Sequence, residues 1–297
     1  MGIFLLLLGV LMSGLYSTGL APVNRRCRTL AELELFNACF ACVAMIGAFI
    51  SGIAGGSSMG MPVFAVLVAL IWGTIFSLCV FFNLAALEEG PLSLTTLIVN
   101  FSLVMPLIYS FCFLGEPVTL LRIIGIALLC VCMLLFTNPK ITGEKKMSAK
   151  WLILTLLAMF CNGALSLIAK IFAMATENAY ASPFLAYSYL CASLVSLLLA
   201  FVLNRREPAE RRIAPKAYFA PIMLVLIVLI GAANFGLNLV VVLLATMMDG
   251  AIVYPVIQGG GPMIASIAGR LFFGEKISVK KAAAILLGVA AIVLLNL

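Results

Sequence analysis

Apolar runs of about twenty residues follow one another from Gly2 to Leu297, broken only by short polar connections. Each run is long enough to cross ~30 Å of hydrocarbon as a helix. A helix satisfies its own backbone hydrogen bonds where no water is present, so it is the structure such a run must take in lipid. A transmembrane barrel would show alternating segments of about ten residues instead. The composition agrees, with 65% hydrophobic residues, 10% charged residues and a mean hydropathy of +1.25. A soluble chain is about half apolar and a quarter charged. The pattern predicts ten spans, near 2–21, 31–54, 61–86, 91–114, 118–137, 150–175, 183–203, 216–245, 250–273 and 279–297. The first run has no positive leading region and is read as a retained span, not as a cleaved leader.

The chain repeats itself. Phe113-Leu114-Gly115-Glu116-Pro117 returns as Phe272-Phe273-Gly274-Glu275-Lys276, 159 positions later. Ala85-Ala86-Leu87-Glu88-Glu89-Gly90 returns as Ala245-Thr246-Met247-Met248-Asp249-Gly250 at a spacing of 160. We therefore read residues 1–138 as a first five-helix repeat, 139–149 as a polar linker and 150–297 as a second five-helix repeat. Five is odd, so the second copy enters the membrane the opposite way. The expected fold is all-α and integral to the membrane, with ten transmembrane helices as two inverted five-helix repeats.

Positive charge is concentrated on alternate connections, which hold 16 of the 18 Lys and Arg residues. They are Arg25, Arg26 and Arg28, then Lys140, Lys145, Lys146 and Lys150, then Arg205, Arg206, Arg211, Arg212 and Lys216, then Arg270, Lys276, Lys280 and Lys281. Lys and Arg accumulate on the cytoplasmic side, so these connections face the cytoplasm and both termini face out. The same bias accounts for the net charge of +7, and no nucleic-acid partner is required.

The duplication to ten spans, the Gly-Glu pair between the last two spans of each half and the acidic-Gly turn before the fourth span together resemble the drug/metabolite transporter superfamily, above all its EamA-type members. The stretches that carry the resemblance are 85–136 and 245–295. It implies a ten-helix transporter with a central cavity, moving small metabolites, amino acids or drugs across the plasma (inner) membrane. Many members of that superfamily keep both termini in the cytoplasm, whereas the charges of this chain argue the reverse.

Polar side chains inside spans are costly in lipid and usually face a cavity or another helix. Here they fall at helical spacing. Asn162, Ser166 and Lys170 lie at i, i+4, i+8 on span six, and Asn234 and Asn238 lie at i, i+4 on span eight. Tyr254 and Gln258 share a face of span nine, Ser93, Thr96 and Asn100 a face of span four, and Ser13 and Ser17 a face of span one. Asn100, Thr96, Asn162, Ser166, Lys170, Asn234, Asn238, Tyr254 and Gln258 are therefore the expected substrate-binding residues. Interhelical hydrogen bonds that only hold the bundle together are the competing reading. Lys170 either attracts an anionic or zwitterionic group or snorkels to the interface.

Span nine carries Pro255, three consecutive glycines at 259–261 and Pro262. It reads either as freed backbone lining a cavity or as a kinked helix whose glycines allow close packing. Glu116 and Glu275 are expected to accept hydrogen bonds at helix junctions. No metal or other cofactor is expected. There is no histidine, and the nine cysteines, mostly within spans, suit small packing residues.

A secondary transporter for a small polar metabolite, such as an amino acid or a related zwitterion or anion, fits these features best. A multidrug or organic-cation exporter of the same fold is the alternative, weakened because no Asp or Glu lies in the middle of a span. Any coupling proton would use span-end carboxylates or Lys170. A membrane enzyme would need acid–base or metal-ligand groups that the spans lack. A lipid or lipid-linked sugar flippase stays open. The expected partners are the substrate and the lipid bilayer, with the chain acting as a monomer or homodimer.

Overall fold

The computed structural model describes residues 1–27, 29–136, 148–213, 218–273 and 279–295. Gly274-Glu275, the second copy of the repeated pair, lies outside these residues, as does most of the polar linker. The described residues are helical almost throughout. The helices are α1 (Gly2–Arg26), α2 (Leu30–Ala54), α3 (Val63–Glu89), α4 (Leu92–Asn100), α5 (Val104–Phe113), α6 (Leu120–Phe136), α7 (Ala149–Ala175), α8 (Ala181–Arg206), α9 (Pro221–Leu244), α10 (Gly250–Phe273) and α11 (Val279–Leu295). Among the described residues seven segments are long and apolar enough to cross a membrane, and Leu120–Leu135 and Ala282–Leu295 are shorter apolar helices.

Local chemistry sets the helix ends. The Thr29 side chain accepts from the Glu32 N–H at 3.2 Å to cap α2, and Ser148 accepts from the Trp151 N–H at 3.1 Å to cap α7. Pro221 occupies the first turn of α9, where its missing donor costs nothing, so the helix starts there and not at 216. The first span does not stop at Gly19-Leu20-Ala21-Pro22. α1 runs on through Pro22 to Arg26, forgoing one internal bond at the proline, and Cys27 N–H closes its end on the Val23 carbonyl at 2.9 Å.

Spans four and nine exchange the roles that their sequences suggest. The fourth span is broken, with a 3-10 turn at Phe101–Leu103 separating α4 from α5. Pro106 cannot donate to the Ser102 carbonyl, and the tightened turn falls at that point. The ninth span, richer in breakers, is one continuous helix through Pro255 and Pro262. Its glycines serve close approach. A Cβ on Gly259 would meet Leu129 at 2.6 Å, one on Gly260 would meet Val10 at 2.6 Å, and one on Gly261 would meet the Ser13 hydroxyl at 2.3 Å.

The principal helix pairs join the two halves of the sequence. α2 packs along α8, α3 along α7, α6 along α11, and α1 along α9 and α10. The largest buried cluster lies in the α2–α3–α8 region, where Trp72 stacks on Phe76 and meets Phe184 and Tyr189 edge-on. The outward faces carry Phe4, Leu7, Ile50, Leu67, Leu198 and Val225, all more than half exposed. That much apolar surface belongs in lipid.

Sidedness follows from the loops. Cys27 is 8% exposed and burial pushes its thiol up to about 12, so it would stay unreactive on either side of the membrane. Exposed Ser58, between α2 and α3, and Glu210, between α8 and α9, are better reporters. In a background without other cysteines, Ser58→Cys should react with an impermeant thiol reagent in intact cells and Glu210→Cys should not. The reverse pattern would invert the orientation read from the charges.

Candidate functional site

Amide and hydroxyl side chains at helical spacing converge on a cavity of about 640 Å³ between the halves. α4 contributes Thr96 and Asn100, α7 Asn162 and Ser166, α9 Asn234 and Asn238, and α10 Tyr254 and Gln258. α1 adds Ser13, Tyr16 and Ser17. Eight of the nine residues expected from the sequence thus meet in one place, and Lys170 does not. The Ser93 side chain lies outside the described residues. Among the described residues, no charged side chain lines the cavity.

The stripes are also tied to one another. Tyr189 on α8 donates to the Asn234 carboxamide oxygen at 2.6 Å and accepts from Asn238 Nδ2 at 2.9 Å. Asn162 Nδ2 donates to Ser102 Oγ at 2.7 Å, and the Tyr254 hydroxyl donates to the Ser166 carbonyl at 3.1 Å. These bonds hold the wall in shape, so the bundle-holding role and the cavity-lining role belong to the same residues.

Gln258 differs. Its side-chain oxygen is buried without a hydrogen-bond partner, and the residue four positions on is Pro262, which cannot supply the usual helical donor to the Gln258 carbonyl. The Gln258 side chain thus joins the cavity wall with its oxygen tucked in and unpartnered.

Sequence reasoning did not single out Asn83 on α3, Ser266 on α10, or the aromatic pair Trp72 and Phe76, all of which line the cavity. Ser266 lies on the face of Tyr254 and Gln258, two turns further along, and that spacing was available to find it. Asn83 stands alone in an apolar stretch with no periodic partner. Trp72 and Phe76 read as ordinary core aromatics, and their rings are in fact largely buried.

The lysine is only 2% exposed and does not snorkel. Lys170 Nζ donates to Glu116 Oε1 at 2.8 Å, and the two side chains are 3% and 8% exposed. The same carboxylate accepts from the Gly250 N–H at 2.8 Å and from the Ala251 N–H at 3.0 Å. Glu116 thus caps α10 while neutralising α7, which is the junction role expected of it. Gly115 makes this possible. Its φ of +65° turns the chain directly after α5, a conformation open to glycine at little cost. Beside it, Arg122 at the start of α6 pairs with Asp249 at 2.6 Å. Both ion pairs join the first half to the second at the N-terminal end of α10.

Burial raises the affinity of the Glu116 carboxyl for its proton. The Lys170 hydrogen bond, the two backbone donors and the lysine charge outweigh that effect and hold it below the usual carboxylate range.

Comparison with known proteins points one way. The profile described as the EamA-like transporter family matches residues 149–297. A protein of known crystal structure is 17% identical and superimposes with a TM-score of 0.77, covering 98% of this chain and 95% of its own, which is a likeness of fold. No curated protein sequence matches.

Stranding one member of a buried pair is expensive. Glu116→Ala and Lys170→Ala should each lower stability by about 3–5 kcal/mol. The double variant should cost less than the sum of the two, as read from unfolding in detergent. Because the folded-state carboxyl titrates below its unfolded value, its contribution is complete above the usual carboxylate range and is lost as pH falls through the depressed value. Glu116→Gln should therefore flatten the acid limb of the stability profile.

Proposed function

The chain belongs to the EamA-like transporter family, and from that premise we propose that it is a secondary transporter moving a small polar metabolite, an amino acid or related zwitterion, by alternating access. Membership makes it a multi-pass membrane transport protein; the cargo and the cycle are our reading. The plasma (inner) membrane is the proposed location, with the chain acting as a monomer or homodimer.

One observation carries the reading. A cavity of about 640 Å³, within the ~300–1,000 Å³ of small-molecule sites, is lined by neutral amides and hydroxyls from both halves. A net ion entering it would lose hydration without meeting a counter-charge. A zwitterion carries its own. Amide and hydroxyl oxygens of such a wall suit an ammonium group, while its amide N–H and hydroxyl donors suit a carboxylate. Lys170 gives no reason to prefer an anion, because Glu116 already neutralises it.

The helix pairing supports inverted repeats. Exchanging spans one to five with six to ten maps the α3–α7 pair onto α9–α1, and maps α2–α8 and α6–α11 onto themselves. Alternating access needs an end that closes. The cavity is bounded at the N-terminal end of α10 by buried Tyr254, and one turn beyond it stand Lys170–Glu116 and Arg122–Asp249. These ties join the halves, so opening that end requires them to part. The loop charges favour the outer side for it.

The cation-exporter alternative draws on Trp72 and Phe76, stacked 5.4 Å apart in the cavity wall, since aromatic faces attract organic cations. Purified protein in liposomes, offered labelled amino acids, organic acids, sugars and cationic dyes with and without a pH gradient, separates the two readings. We expect saturable movement of a neutral amino acid. Gln258→Ala and Asn100→Ala should each raise KM by about tenfold, the size of one hydrogen bond to a charged group. Saturable movement of a cationic dye alone would overturn the reading.

A further inference from the structure

Glu34 is the fifth residue of α2 and is completely buried, 0% exposed. Both carboxylate oxygens lack a hydrogen-bond partner, and no ion pair among the described residues includes it. Asn37, one turn further along the same face, and Ser196 of α8 stand beside the carboxyl. Asn37 Nδ2 donates to Ser196 Oγ at 2.7 Å, and Ser196 Oγ lies 2.5 Å from Ser77 Oγ of α3. Asn37 Oδ1 is a third buried acceptor without a partner. The helices packed most extensively on α2 are α8, α9 and α3, and among the described residues no ion pair reaches this cluster. The titratable groups nearest along the chain are Glu32 and Cys39 on α2 and Cys27 before it, with Tyr218 ahead of α9. The Tyr218 hydroxyl is already committed to the Glu32 carbonyl at 2.8 Å.

An ionised carboxylate here is shut off from bulk water, forms no ion pair among the described residues and has only the neutral Asn37 and Ser196 beside it, so that state is disfavoured. A proton changes the balance. It makes the carboxyl neutral and turns one oxygen into a donor, within a cluster that holds a buried unpartnered acceptor, Asn37 Oδ1. The cluster is also well placed. Ser77 follows Phe76, which lines the transport cavity, and the α2–α8 contact joins the two halves. Any rocking of one half against the other changes the seam that keeps water from Glu34.

We propose that Glu34 is a proton-binding site coupled to transport. It holds a proton while α2 and α8 are closed on each other and releases it to water when they part. One proton is taken from water on one side of the membrane and returned to water on the other, with no other change in bonding. The proposal rests on the transport reading for what the proton drives, and on the buried cluster alone for the presence of the proton.

Infrared pH titration of the protein in lipid vesicles tests the second point without any transported molecule. A protonated-carboxyl carbonyl band should persist at neutral pH in the unmodified protein and disappear in Glu34→Gln, whose amide is close in shape to the protonated acid. No such band in the unmodified protein, or a band unchanged in Glu34→Gln, overturns the assignment. The labelled amino-acid assay then tests coupling. Accumulation driven by a pH gradient should be lost in Glu34→Gln, and retained gradient-driven accumulation overturns the coupling role. If the unmodified protein moves no amino acid at all, the transport reading fails, while the infrared result still decides the proton site.

Discussion

The Glu116 carboxylate is the contact on which the arrangement of the two halves turns. It sits in a short loop of the first half, yet all three of its donors come from the second half: one ammonium on α7 and two backbone N–H groups that open α10. A lone lysine at that depth would be prohibitive in lipid, and so would uncapped amides at a buried helix start. One anion resolves both. Gly115-Glu116 is therefore a fastening, with glycine supplying the backward turn and glutamate supplying the charge.

The fastening also explains why the cavity below it is neutral. With Lys170 neutralised one turn beyond Ser166, the wall retains only dipoles. Neutral walls recognise a cargo by where donors and acceptors point and do not hold a net ion strongly. In the proposed cycle the charges then belong to gating and, at Glu34, to coupling. The two carboxylates differ in kind. Glu116 is held by an ammonium and two backbone donors and stays ionised, whereas Glu34 is buried beside only the neutral Asn37 and Ser196.

Much of this was legible in the sequence, because a membrane simplifies the code. Length and apolarity placed the helices within a few residues, and the 3.6-residue period gathered Asn162 with Ser166, Asn234 with Asn238 and Tyr254 with Gln258 onto faces that do meet. What stayed hidden depends on contacts between distant positions. Lys170 and Glu116 are 54 positions apart, and nothing in either stretch announces the pairing that removes the lysine from the cavity. Glu34 lies near a helix end and looks solvated until Ser77 and Ser196 arrive from α3 and α8. The break in the fourth span was missed for a related reason. A single proline beside a close neighbouring helix proved more disruptive than two prolines and three glycines on a helix packed along its length.

The glycine run of α10 has a mechanical side. Interlocked side chains resist sliding, because each must climb out of its groove before the helices can shift. Leu129, Val10 and Ser13 instead rest on bare backbone at Gly259, Gly260 and Gly261, with no ridge to climb. That strip is a bearing surface, the place where α10 can roll against α1 and α6 with the fewest rotamer changes. It runs beside Gln258, so a small roll there would re-aim a side chain of the cavity wall.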